Sequence, residues 1–62
     1  MENKQVTAEY LLTQIAQVVA GYHDAEVRLV LNRPVHWLVF VVGDNTVAQI
    51  CIESGELMWI NR

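Results

Sequence analysis

Apolar residues recur along this chain with two different periods. Between residues 7 and 20, and just beyond, Ala8, Leu11, Leu12, Ile15, Val18, Val19 and Tyr22 follow i, i+3, i+4, i+7 spacing. At ~100° per residue they fill a stripe about 120° wide, which predicts one amphipathic helix lying on a core. Thr7 is the expected N-cap, and Glu9 in the first turn faces the positive end of the helix dipole. Gly21 suits a left-handed position just after the helix. Tyr10, Thr13, Gln14 and Gln17 occupy the opposite, solvent-facing side.

From Ala25 the period drops to two and β-branched residues accumulate, which predicts strands over 25–31, 35–42, 46–53 and 56–61. The breaks are Asn32-Arg33-Pro34, Gly43-Asp44-Asn45 and Ser54-Gly55, all turn-forming residues. Connections this short cannot cross over between parallel strands, so the sheet is an antiparallel meander. The expected fold is α+β over a single domain spanning 1–62: a helix over 7–20 packed on a four-stranded sheet over 25–61, order αββββ, with residues 1–6 flexible.

The second strand is the most informative. Val-His-Trp-Leu-Val-Phe-Val-Val at 35–42 is apolar on both sides except at His36. Strands with one wet face alternate apolar and polar, so a strand like this should be covered twice. One helix covers one side only. With hairpin loops of two residues at Asp44-Asn45 and Ser54-Gly55, Trp37, Val39, Val41, Ala48, Ile50, Ile52, Leu57 and Trp59 share the helix side. A three-residue first loop adds Val27, Leu29 and Leu31. The second face then holds Val30, His36, Leu38, Phe40, Val42, Val47, Cys51, Met58 and Ile60, interspersed with Arg28, Gln49 and Glu53. That set is too apolar for water and is expected to meet a second copy of the chain or another protein. The fourth strand, expected at a sheet edge, offers a second route, because Leu57-Met58-Trp59-Ile60 lacks the lysines and prolines that guard edges.

Size sharpens this expectation. A 62-residue chain has a single core, and below ~70–80 residues such a core rarely supplies more than about 3–5 kcal/mol without a staple. The lone Cys51 excludes an internal disulfide, and two histidines are too few for a zinc framework. Oligomerisation remains, with a dimer favoured. The apolar fraction of 53% exceeds the ~45–50% of ordinary domains.

Charge narrows the partners. Seven acids against four bases give a net charge of −3, and Lys4, Arg28, Arg33 and Arg62 form no run. This disfavours nucleic acid and anionic membrane surfaces, which reward clustered Lys and Arg. The polar start Met1-Glu2-Asn3-Lys4-Gln5 does not resemble a signal peptide, and no apolar run approaches the ~20 residues of a membrane span. The expected compartment is the cytoplasm, where a free thiol is the default.

Candidate chemistry is sparse. His36 pairs with Glu53 across the sheet, two residues from Cys51, and such a trio can form a nucleophile with its base or a ligand set. No oxyanion hole, further ligand or Gly-rich loop accompanies it, so a polar pair rimming an apolar face, with Cys51 as a small hydrophobe, is the better reading. His23 follows the helix and caps its C-terminal end; no spacing joins it to His36 in a metal site. Trp37 and Trp59 read as core, and Phe40 lacks the basic neighbours that base stacking needs. Tyr10, Gln14, Gln17, Asp44, Glu53 and Glu56 make a possible partner-facing surface, the acids forming a knob for a basic groove.

No catalytic, metal or cofactor residue is therefore expected. The leading expectation is a small cytoplasmic interaction, regulatory or inhibitor protein, acting as a homodimer by stoichiometric binding. By analogy of size and charge it sits among bacterial or phage regulators. The alternative is a module for a small apolar ligand held at a sheet–sheet interface, in a cavity lined by Leu38, Phe40 and Met58.

Overall fold

The computed structural model describes residues 6–60. Residues 1–5, which make up most of the segment expected to be flexible, and Asn61 lie outside the described residues. A helix, α1 (Ala8–Gly21), precedes four strands, β1 (Glu26–Asn32), β2 (Val35–Val42), β3 (Asn45–Cys51) and β4 (Leu57–Trp59). All neighbours pair antiparallel, in the order β1-β2-β3-β4. This is the expected α+β meander with an N-terminal helix.

Thr7 caps α1, its Oγ1 accepting the Tyr10 N–H at 3.1 Å, with Glu9 in the first turn. The C-terminal end departs from expectation. Gly21 is the last helical residue rather than a left-handed cap, and the Tyr22 N–H closes the helix on the Val18 carbonyl at 2.8 Å. Only part of the predicted stripe is used. Val18 is fully buried and Leu11, Ile15 and Tyr22 pack around it, whereas Leu12 and Val19 remain exposed.

The sheet registers explain why. β1 and β2 are joined by two residues, Arg33 and Pro34, across a cis peptide bond, so Leu31 faces His36, Leu29 faces Leu38 and Val27 faces Phe40. Between β2 and β3 the turn is Gly43-Asp44, one residue earlier than expected. Gly43 has φ +64°, as a two-residue hairpin with glycine first requires. The register then shifts between Phe40 and Val41. Val41 faces Thr46 but Phe40 faces Ala48, leaving Val47 as an inserted bulge residue. β3 and β4 pair as Ile50 with Leu57 and Ala48 with Trp59, so their connection is longer than Ser54-Gly55 and β4 shorter than 56–61.

Directly opposed residues share a face, so β2 is turned over relative to expectation. Leu38, Phe40 and Val42 lie on the helix side, with Phe40 fully buried, while Trp37, Val39 and Val41 face away. The bulge is the cause. Without the bulge, the ladder begun at Val42–Asn45 would pair Phe40 with Val47 and so set Val39 against Ala48 and Trp37 against Ile50. Phe40, Val47, Ala48, Ile50 and Val18 form the core, with Leu38, Val42, Ala25 and Leu57 around it.

Candidate interaction surface

The core stops short of β1. All seven residues of β1 are exposed, although the row Val27, Leu29, Leu31 continues the helix side of the sheet past Phe40 and Leu38. A helix is about 10 Å across and strands lie ~4.8 Å apart, so one helix cannot cover four strands. α1 sits over β3, and its Val18 shares one buried cluster with Phe40 of β2.

Polar contacts fix α1 in that place. The Tyr10 ring lies over Gly55 in the β3–β4 connection, where a Cβ would come within 2.5 Å of Tyr10 Cε2. Gly55 has φ +75°, which only glycine takes readily. Gln14 Nε2 donates to the Gly55 carbonyl at 3.0 Å, and Gln17 Nε2 donates to Gln14 Oε1 at 2.6 Å. Tyr10, Gln14 and Gln17 thus form a chain that ties the helix to the β3–β4 end of the sheet. On the helical wheel Leu12 and Val19 fall on the other flank.

The result is an exposed apolar surface on β1. Val27 is 53% exposed, Leu29 59%, Val30 42% and Leu31 67%. Leu12 and Val19, exposed by 63% and 45%, extend the apolar character to the free flank of α1. β1 contains neither lysine nor proline, and its pairing with β2 is regular from end to end. Among the described residues no strand pairs with either edge of the sheet, but β4 offers three residues where β1 offers seven.

The residues expected on the second face are divided between two sides. Val30, Cys51 and Met58 do lie on the face away from the helix, where Gln49 Nε2 reaches Met58 Sδ at 3.9 Å. Ile60 follows β4, half exposed, its N–H bonded to the Val47 carbonyl at 2.9 Å. Leu38, Phe40, Val42 and Val47 do not belong there, since they pack with the core beneath α1. His36 shares their side of β2 but lies exposed at the strand's start. Trp37 is corrected in the opposite sense, from core to outer face. Trp59 is partly exposed on the helix side, its ring centroid 6.3 Å from that of Tyr22. With Phe40 in the core and Met58 on the outer face, a ligand cavity lined by Leu38, Phe40 and Met58 cannot form. Base stacking on Phe40 falls for the same reason.

Beside the Tyr10–Gln14–Gln17 chain, the polar candidates that are brought together are His36, Glu53 and Cys51. The His36 N–H donates to Glu53 Oε1 at 2.8 Å, His36 Nδ1 makes a short contact with Glu53 Oε2, and Cys51 Sγ lies 3.9 Å from Oε1. The hydrogen bond from the His36 backbone N–H, reinforced by the one from its ring, holds the Glu53 carboxyl below its ordinary range. The arrangement fastens the start of β2 to the β3–β4 connection. Among the described residues no group of His, Cys, Asp and Glu could hold a metal ion. His23 lies beyond α1 at the Glu26–Val41 end of the β1–β2 pair, opposite to the His36 end. Nor do the acids make one knob. Asp44 turns β2 into β3, whereas Glu53 and Glu56 lie at the far end of β3.

The exposure of β1 was not anticipated from the residues, although the widths of helix and sheet contain the signal. Among the described residues no helix is long and apolar enough to cross a membrane. Comparison with protein-family models, with curated proteins and with solved structures finds no match to this chain.

Proposed function

We propose that this chain is a small non-enzymatic interaction or regulatory protein of the cytoplasm, acting by stoichiometric binding as a homo-oligomer, most simply a dimer. The observation that carries the reading is β1, a seven-residue strand exposed along its whole length. Each leucine or valine left in water forgoes about 1.5–3 kcal/mol of burial, a large sum against the ~3–5 kcal/mol core of so small a domain. A surface of this kind marks an interaction site, and two-fold pairing is the commonest way for one chain to cover it. Light scattering coupled to size exclusion across a dilution series tests the reading. The expected result is a mass that rises from one chain towards two with concentration. A mass of one chain at every concentration removes the homo-oligomer and leaves β1 to another protein.

A further inference from the structure

Resting on the homo-oligomer reading, we infer that the second copy docks on the open edge of β1. The two β1 strands pair antiparallel about a two-fold axis at Leu29, making one continuous eight-stranded sheet.

The direction of the backbone groups comes first. The Ile52 N–H donates to the His36 carbonyl at 2.9 Å and the His36 N–H points to Glu53, so both His36 backbone groups face the β3 side of β2. Both groups of a strand residue point the same way, and the direction alternates along the strand. His36 therefore makes no ladder bond with Leu31 opposite, and Leu31 turns its own N–H and C=O away from β2. By alternation Leu29 and Val27 do the same, whereas Glu26, Arg28, Val30 and Asn32 bond inward to β2. Three residues thus present donors and acceptors to a side of the sheet where, among the described residues, no further strand lies.

Register follows from what each alternative does with those groups. An axis at Leu29 sets Leu29 against the partner's Leu29, and Val27 against the partner's Leu31, so all three outward residues find a counterpart. It also sets Arg28 against the partner's Val30 and Glu26 against the partner's Asn32, with no like charges opposed. An axis at Arg28 places two guanidinium groups face to face, which is repulsive. An axis at Val30 runs one outward residue past the end of the partner strand, and an axis at Val27 runs two past it. The edge is also electrically suited to meeting itself. The chain carries −3 overall, but β1 carries one acid and one base, Glu26 and Arg28, already paired at 3.3 Å on the outer face. The strand is lightly guarded: natural edges carry lysine, proline, bulges or brevity, β1 has none of these, and its two charges neutralise each other. A strand pair of this length is ~20–24 Å long, modest beside standard interfaces of ~1,200 Å² and more, so the dimer is a reversible one.

Cysteine pairing reads the register directly in the full chain. With Cys51→Ala removing the native thiol, Leu29→Cys places two sulfurs on residues whose Cα atoms lie ~5.5 Å apart in a hydrogen-bonded pair, within disulfide reach. Val27→Cys in the same background is the control, because the partner's Val27 lies four residues along from its opposite number, ~14 Å away. The expected result under mild oxidation is a covalent dimer for Leu29→Cys and none for Val27→Cys. A dimeric parent whose Leu29→Cys variant fails to cross-link, or whose Val27→Cys variant cross-links as readily, overturns the edge register and leaves the homo-oligomer standing. A parent monomeric at every concentration overturns both. The unmodified chain gives an independent readout by amide exchange. Val27, Leu29 and Leu31 amides should exchange at least about tenfold more slowly in concentrated than in dilute solution, and unchanged rates at those three positions count against the pairing.

Discussion

β1 and β3 are strands of equal length and nearly equal hydrophobicity, yet their fates are opposite. Each has seven residues, four of them apolar in Glu-Val-Arg-Leu-Val-Leu-Asn and four in Asn-Thr-Val-Ala-Gln-Ile-Cys. β3 buries Val47, Ala48, Ile50 and Cys51, and β1 buries none. β3 has a neighbour on each side and α1 above it, whereas β1 has one neighbour and open space above. Composition states how much burial a strand requires. Distance from the single helix decides how much of it the chain supplies.

The largest effect should come from making the same truncation in both places. Ile50→Ala removes a fully buried side chain from the centre of the core and should cost about 2–5 kcal/mol, enough to unfold most of so small a domain. Leu29→Ala removes a side chain already in water and should change monomer stability by no more than ~0.5 kcal/mol. Circular dichroism with urea titration of dilute protein compares them. A Leu29→Ala cost as large as that of Ile50→Ala would mean that β1 is covered within the monomer.

Much of this contrast is legible in the residues. The 3.6-residue stripe, the switch to alternation at Ala25 and the three turn clusters yield the helix, the four strands and their antiparallel order. What escapes is the side of β2 that faces inward. A strand whose residues are apolar on both sides carries no pattern to choose between them, and the bulge at Val47 is one more β-branched residue in an unbroken strand sequence. Gly43 did carry a signal, since a glycine-first hairpin turn places the turn at Gly43-Asp44. The β1 row ends on the expected side of the sheet only because two one-residue displacements cancel, one at the Arg33-Pro34 turn and one at the bulge. The His36–Glu53 contact survives because it joins strand ends close to the β3–β4 connection, outside the displaced ladder.

The contrast between the strands depends on α1 staying over β3, and Gly55 is where that can be disturbed. Gly55→Ala forces a left-handed φ on an alanine and drives its Cβ to 2.5 Å from the Tyr10 ring. The positive φ alone costs about 1 kcal/mol, and displacing the ring brings the total to roughly 1–3 kcal/mol. Adding Tyr10→Ala should recover the steric part and leave the backbone part. If Gly55→Ala alone is neutral in thermal melts, the helix is not held through the Tyr10–Gly55 contact, and the position of α1 over β3 must rest on Val18 and its neighbours and on the Gln14 hydrogen bond.

The smallest expected effect is electrostatic and lies away from β1. Glu53 accepts the His36 backbone N–H, and its folded carboxyl is held below the ordinary range. A carboxyl with a folded pKa below its unfolded one contributes stability above the unfolded value and loses it as pH falls through the folded one. The contribution should therefore be complete at neutral pH and fade only in the acid range, where the proton breaks the acceptor role at His36. Exposure to solvent keeps it small. Thermal midpoints of the parent and Glu53→Gln, measured from pH 7 downwards, should converge in acid, with the parent ahead only at the higher pH. Since β1 meets β2 through the opposite side of the His36 backbone, its exposure should be identical in the two proteins. A change in β1 amide exchange on Glu53→Gln would show instead that the His36–Glu53 fastening governs both edges of β2.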